Sequence, residues 1–371
     1  MSGNRMAVTA GLRYQLHRTL LIGLGCISAS IATVHANTDP MLPTSSRADA
    51  VTSPLAAVTV LSHDLTASKA FYEGALAMTA SAISLSSEDT ELLKQHWALD
   101  DLDTLEGFIF SSPGAPGSGI VRVLKAPPGM PSGRPELSSR YSGPLGFGFP
   151  DTDMPTRLSE VEGRGFTSTV GIKRMNFPRA DGSEYTVSEV HYIAPDDTLV
   201  LGVDRGGYNQ IGPIDANTGI GGVAYSSFMV DSIEESSRFF RDVLGYELRR
   251  EMAFQSSGQG MPDTRKGESI AFLQWFAPGA TTGYLVMMEL LDGGKKAYEP
   301  PGMASSGLSM WSFTTDSLDL IRSRWQAYSG HAGTVFEGRL PPFGEVRAIT
   351  ITSPSGIAIE VIEPLDLLSG D

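Results

Sequence analysis

A duplicated segment constrains this chain more than any other feature. Ala56 to Met78 (AAVTVLSHDLTASKAFYEGALAM) and Gly222 to Leu248 (GVAYSSFMVDSIEESSRFFRDVLGYEL) follow one pattern. A β-rich run comes first, then an acidic turn at Asp64 or Asp231, then a helix carrying an aromatic pair, Phe71-Tyr72 or Phe239-Phe240. Ser68 and Ser236 each stand three residues before the first aromatic. Helical spacing puts Phe71, Ala75 and Leu76 on one face, and Ile233, Phe240, Val243 and Leu244 on the matching face of the second copy. The aromatic pairs lie 168 residues apart, so the duplication has the scale of a domain and not of a solenoid repeat.

Each half also ends alike and divides again. HYIAPDDTLVLGVD (His191 to Asp204) and ITSPSGIAIEVIEP (Ile351 to Pro364) both read as strand, proline-containing turn, strand. Leu145 to Phe166 and Leu308 to Gly330 read as strand, acidic turn, helix. The chain therefore predicts four units in series, each with one strand, one helix and about three more strands. Joints fall at Pro127–Ser139, Gly206–Thr218 and Asp292–Ser306, and Ser87–Leu105 and Gln255–Lys266 read as inserts, the first of them helical.

The N-terminus reads as an address. Arg5, Arg13 and Arg18 precede an apolar run from Thr19 to Val34, and Val34-His35-Ala36 offers small residues for cleavage. This is the secretory pattern, so residues 1–36 are expected to be a signal peptide and 37–54 a flexible leader. The apolar run is shorter than a bilayer span needs, and Gly23 stands where a lipoprotein signal before Cys26 would have a large aliphatic residue. Removal takes away three arginines and no acid, deepening the formal charge from −14 to −17. The location expected is periplasmic or secreted. So acidic a surface disfavours nucleic acid and, once the signal is cleaved, anionic membranes. Cys26, the single cysteine, leaves with the signal, so the cores must hold without disulfides.

The D-x-x-x-S-x-x-F-[YF] helices and the S-P-S-G-x-x-I-E ending at Glu360 make residues 55–365 resemble the vicinal oxygen chelate superfamily. Its members include glyoxalase I, bleomycin-resistance proteins, extradiol dioxygenases and methylmalonyl-CoA epimerase. The resemblance implies an α+β tandem glyoxalase/bleomycin-resistance/dioxygenase fold, with four βαβββ units forming two curved-sheet cups. Read consecutively, that gives one domain over 55–205, a linker over 206–218 and a second domain over 219–365.

The resemblance also implies where a divalent metal would sit, because metal-using members place His or Gln on a unit's first strand and Glu on its last. In the first domain those positions are Ala57, Gly146, Leu201 and Arg122 or Val123, which cannot hold a metal. In the second, Glu360 and Glu289 fit the terminal-strand carboxylates, Tyr225 takes a first-strand position, and Leu308 or Ser309 the last. The expected cofactor is at most one Fe, Mn, Ni or Zn ion, on Glu289 and Glu360. Strand alternation groups Leu285, Met287 and Glu289, then Ala358, Glu360 and Ile362, then Tyr225, Ser227 and Met229. Two carboxylates among apolar neighbours need compensation by a cation, a shared proton or an arginine. Solvated strand edges, with Arg250 or Arg347 as partners, are the other reading.

The expected function is binding or transforming a small oxygen-bearing molecule in the second domain. Glyoxalase- or epimerase-type lyase or isomerase chemistry would use Glu289, Glu360 and Tyr225, with Met287, Ser227, Trp311 and His191 lining the ligand. The alternative is a non-catalytic binder like bleomycin-resistance proteins; a third is cups filled by side chains. A ring-cleaving dioxygenase is disfavoured, since the two histidine positions its iron needs carry Tyr225 and Leu308 or Ser309. No H-x-x-H, H-E-x-x-H, P-loop or G-x-S-x-G motif is present. The chain is expected to act as a monomer or homodimer.

Overall fold

The computed structural model describes residues 42–99, 104–178, 183–207, 209–294 and 302–365. The signal-peptide reading of residues 1–36 lies outside them. The first unit comprises β1 (Ala57–Ser62), α1 (Leu65–Lys69) running on as a π-helical turn (Ala70–Ala75), β2 (Thr79–Ala82), α2 (Ser87–His96), β3 (Gly107–Ser111) and β4 (Ile120–Lys125). The second comprises β5 (Gly143–Pro150), α3 (Met154–Gly163), β6 (Thr167–Ser168), β7 (Lys173–Pro178), β8 (Glu184–Ala194) and β9 (Thr198–Asp204). The third comprises β10 (Tyr225–Met229), α4 (Ile233–Asp242), β11 (Glu247–Gln255), β12 (Ser269–Phe276) and β13 (Tyr284–Leu290). The fourth comprises β14 (Gly307–Thr314), α5 (Leu318–Ser329), β15 (Val335–Leu340), β16 (Gly344–Thr352) and β17 (Ala358–Pro364). The acidic or serine turns cap the helices: Asp64, Ser232 and Ser317 each accept a backbone N–H from the first turn of α1, α4 and α5.

The four-unit plan holds, but the units do not pair in sequence order. One sheet runs β15-β16-β17-β14-β1-β4-β3-β2 and so joins the fourth unit to the first. The other runs β11-β12-β13-β10-β5-β9-β8-β6, with β7 added on β8, and joins the third to the second. In each, the first strands of two units pair antiparallel, β1 with β14 and β10 with β5, and each is flanked by its own unit's last strand in parallel. The boundary at 206–218 therefore does not separate the two sheets. A repeat identifies the units, but the pairing of their first strands is made by backbone hydrogen bonds that no side-chain period encodes.

The two sheets share one apolar layer, in which the helices are packed. Phe228 of β10 meets Trp311 of β14 with ring centroids 5.0 Å apart, and Trp311 Nε1 donates to Ser226 Oγ at 2.9 Å. The aromatic pairs of the repeat are buried here, as their spacing predicts. Each sheet's other face forms a cup with its own cluster of buried side chains. The leader is a correction: residues 42–54 are docked on the fold. Leu42 N donates to Arg249 O, Thr52 Oγ1 to Leu244 O and Ser53 N to Thr314 O, at 2.7–2.8 Å. Their polar composition hides backbone groups that satisfy strand ends. Among the described residues no helix is long and apolar enough to cross a membrane.

Candidate functional site

Strand register decides which side chains enter each cup. In the first–fourth-unit cup, Thr59 stands beside Arg122, and Ser312 beside Glu360. These come from the first and last strands of both units, and all four are fully buried. Arg122 Nη2 lies 2.6 Å from Glu360 Oε2 and 2.9 Å from Ser312 Oγ, and its Nε donates to Thr59 Oγ1 at 3.0 Å. Ser312 Oγ donates to the same Glu360 oxygen at 2.7 Å. The insert supplies the rest. Trp97 Nε1 donates to Glu360 Oε1 at 2.7 Å, the Trp97 ring lies 4.7 Å from the Arg122 guanidinium carbon, and His96 Nε2 is 3.4 Å from Glu360 Oε1. Burial pushes the Glu360 carboxyl up, but Arg122 and His96 together outweigh it and hold the group well below the ordinary carboxylate range.

Of the three ways to compensate a buried acid, the fold uses an arginine, and it is Arg122. The guanidinium stands where a cation would have to lie, and both Glu360 oxygens are already engaged. A divalent ion would meet a fixed positive charge and two neutral hydroxyls, so the donor set does not fit one. Among the described residues no three His, Cys, Asp or Glu side chains form a metal-holding group. The insert, helical as expected, closes this cup: Leu93, Trp97 and Leu99 pack with Met310, Ala358 and Ile362.

Glu289 does not join Glu360. The two acids lie in different sheets, and Glu289 points toward α4, where it accepts the Ile233 backbone N–H at 3.1 Å. Leu285 and Met287 share its face, as alternation predicts, but that face is the shared apolar layer and not a cup. Met287 and Trp311 are therefore core residues and line no ligand space. Their position was hidden because the two faces of these strands are almost equally apolar, so alternation alone assigns no inside.

The second–third-unit cup is formed differently. Tyr225 pairs with Tyr284, Ser227 with Val286, Gln274 with Val286 on the other side, and Arg250 with Gln274. The rings of Phe276, Tyr284 and Tyr225 stack in series, with centroids 4.6 and 5.2 Å apart. The Tyr225 ring lies over Gly148, where a Cβ would collide with it. Ser227 Oγ donates to Gly146 O at 3.4 Å. On the far wall, His191 Nδ1 sits 2.9 Å from Gly260 O, and its Nε2 is 3.5 Å from Glu189 Oε2. Burial raises the Glu189 carboxyl, but His191, Lys173 and Arg205 outweigh it and lower its pKa. Burial lowers the Lys173 ammonium and, with Glu189 nearby, raises the Tyr225 phenol well above its ordinary value. The sequence singled out Tyr225, Ser227 and His191 but missed Glu189 and Gln274, and it named Arg250 only as a partner for Glu289 or Glu360. The period-2 run EVHYI already placed Glu189 beside His191 on one face.

The polar centres of the two cups differ in exposure. Thr59, Arg122, Ser312 and Glu360 are 0% exposed, whereas Tyr225, Ser227 and Gln274 keep 5–6% and the Glu189 side chain 25%. A separate concavity of about 480 Å³ lies between α1, Phe108 and Arg164. Its charged groups are spent on surface pairs, Lys69 with Glu73 and Arg164 with Glu160.

No family model matches the chain, and no curated protein matches it either. Solved structures do. Glyoxalase I from Zea mays superposes with a TM-score of 0.55 at 15% identity, covering 87% of this chain and 96% of that one. A point variant of the same plant enzyme gives 0.56 at 13% identity over 87% and 96%. A dioxygenase described as putative, from Bacillus subtilis, gives 0.48 at 14% over 85% and 86%. The plant enzyme spans both sheets of this chain, which ties the likeness to the whole four-unit arrangement and not to a single unit. The chain therefore has the fold of these glyoxalase I structures, with four βαβββ units forming two cups.

Proposed function

We propose that the protein binds a small organic molecule in the second–third-unit cup without a divalent metal, and that the first–fourth-unit cup is a closed structural core. The observation that carries this is the contrast between them: one is sealed around the Arg122–Glu360 pair, the other keeps tyrosine, glutamine and charged groups within reach of solvent. Pockets of this kind, apolar with a few placed polar groups, suit small ligands. Lyase or isomerase chemistry on a Glu289–Glu360 pair loses its basis, because the two acids share no site. The binder reading needs neither acid. Export remains part of the proposal and rests on the basic, apolar and small-residue order of residues 5–36.

Methionine methyl groups report on each cup separately. Met229, Met252 and Met288 face the open cup, and Met303 and Met310 belong to the closed one. In a spectrum of methyl-13C-methionine protein treated with EDTA, a library of small organic molecules is expected to shift the first group and leave the second unmoved. Leu201→Trp, which fills the half-buried mouth of the open cup, should abolish those shifts, while Leu92→Trp on the exposed face of α2 should not. Shifts confined to Met303 and Met310, or binding that EDTA removes, would sink the reading.

A further inference from the structure

The open cup contains polar groups that the protein itself leaves unused. Gln274 is 6% exposed, and its amide has no hydrogen-bond partner among the described residues. The hydroxyls of Tyr225 and Tyr284, at 6% and 4%, have none either. Arg250 is half-buried, stands directly across from Gln274 on the neighbouring strand, and makes no hydrogen bond or ion pair among the described residues. These atoms are not sealed from solvent, so they face water that the polar groups of an incoming ligand can replace.

Charge and shape narrow that ligand. Lys173, Arg205 and Arg250 act on the ionisable groups of this cup in a chain whose formal charge is −14; of the carboxylates on this face, Glu189 meets His191, Lys173 and Arg205, and Glu247 meets Thr44, Ser45 and Arg249. Lys173 and Arg205 act electrostatically on Glu189, Arg205 donates to Asn209 O at 3.1 Å, and Arg249 donates to Leu42 O, which leaves Arg250 as the uncommitted cation. Arg250 and Gln274 occupy one row across the sheet; the Phe276, Tyr284 and Tyr225 rings occupy the next. Two rows along a strand are separated by about 7 Å, the length of a ring bearing one carboxyl group. A guanidinium and an amide N–H₂ side by side both donate, and a carboxylate accepts from both.

Resting on the binding reading above, we infer that this cup takes a small planar carboxylate, its oxygens on Arg250 and Gln274 and its flat face along the stacked rings. The probes are benzoate, its neutral counterpart benzamide, and cyclohexanecarboxylate, followed by calorimetry and by the Met252 and Met288 methyl signals. Benzoate is expected to bind at least tenfold tighter than either of the others. Arg250→Met should weaken benzoate about 10- to 100-fold, the worth of a charge-assisted hydrogen bond, and leave benzamide unchanged. Arg250→Lys should restore part of the preference for the anion. Equal binding of benzoate and benzamide at these methyls, or indifference of benzoate to Arg250→Met, overturns the inference while leaving the cup a binding site. If no probe moves Met252 or Met288, and the wider library does not either, the binding reading itself falls.

Discussion

Arg122→Met is expected to lower the unfolding free energy by about 3–5 kcal/mol, read from urea denaturation. The substitution keeps most of the apolar stem and removes the charge. It leaves Glu360, fully buried, with only a hydroxyl, an indole N–H and an imidazole around its oxygens. The loss measures an uncompensated buried carboxylate, not the net worth of the pair. The double variant Arg122→Met/Glu360→Leu should therefore recover most of the stability, since both desolvation costs vanish together. If the double variant is as weak as the single one, charge balance is not what holds this cup, and the account of Arg122 as its internal cation is wrong.

Acid supplies a second view of the same pair. The Glu360 pKa is depressed in the folded chain, so its contribution is fully present above the ordinary carboxylate value, near 4.3, and is lost as pH falls toward the folded value. The urea midpoint of the wild-type chain should decline progressively below about pH 4. In Arg122→Met/Glu360→Leu that decline should be shallower, leaving only other depressed acids such as Glu189 to contribute. Parallel acid profiles for the two proteins would place the pH dependence elsewhere.

How far the sequence could be read depended on the kind of interaction. The helices and their caps were legible because Asp64, Ser68 and Phe71 act within a few residues of one another, as do Asp231, Ser236 and Phe239. Four units followed from that local pattern. The partnership of the first unit with the fourth was not legible, because β1 and β14 meet through backbone groups about 250 residues apart. That error carried into the site. Glu289 and Glu360 were grouped because they end neighbouring units in the chain, yet neighbouring units lie in different sheets. Arg122, placed in the cup that cannot hold a metal, proved to be the partner of Glu360, and no spacing rule links residues 238 positions apart. The need for compensation was legible, however: a buried carboxylate on an apolar strand calls for a cation, a shared proton or an arginine, and the sequence left the choice among them open.

Trp97→Ala is expected to cost a further about 3–5 kcal/mol, for a different reason. Trp97 is 1% exposed and belongs to the insert, not to either sheet. Its ring covers the Arg122 guanidinium, and its N–H satisfies the Glu360 oxygen that faces away from Arg122. Truncation removes a large buried ring and opens a path for water to the ion pair. Trp97→Phe keeps the ring and removes only the N–H, so it should cost about 1–3 kcal/mol, the desolvation of one unpaired acceptor. Amide exchange along β14 and β17 should quicken in the alanine variant and stay slow in the phenylalanine one. Slow exchange in both, with a loss under about 1 kcal/mol for Trp97→Ala, would make the insert a surface appendage. The cup would then owe its closure to strand residues alone. If instead both strands exchange faster, a segment outside the βαβββ plan is what keeps this cup from being a ligand site, and the same scaffold is left to bind through its other cup.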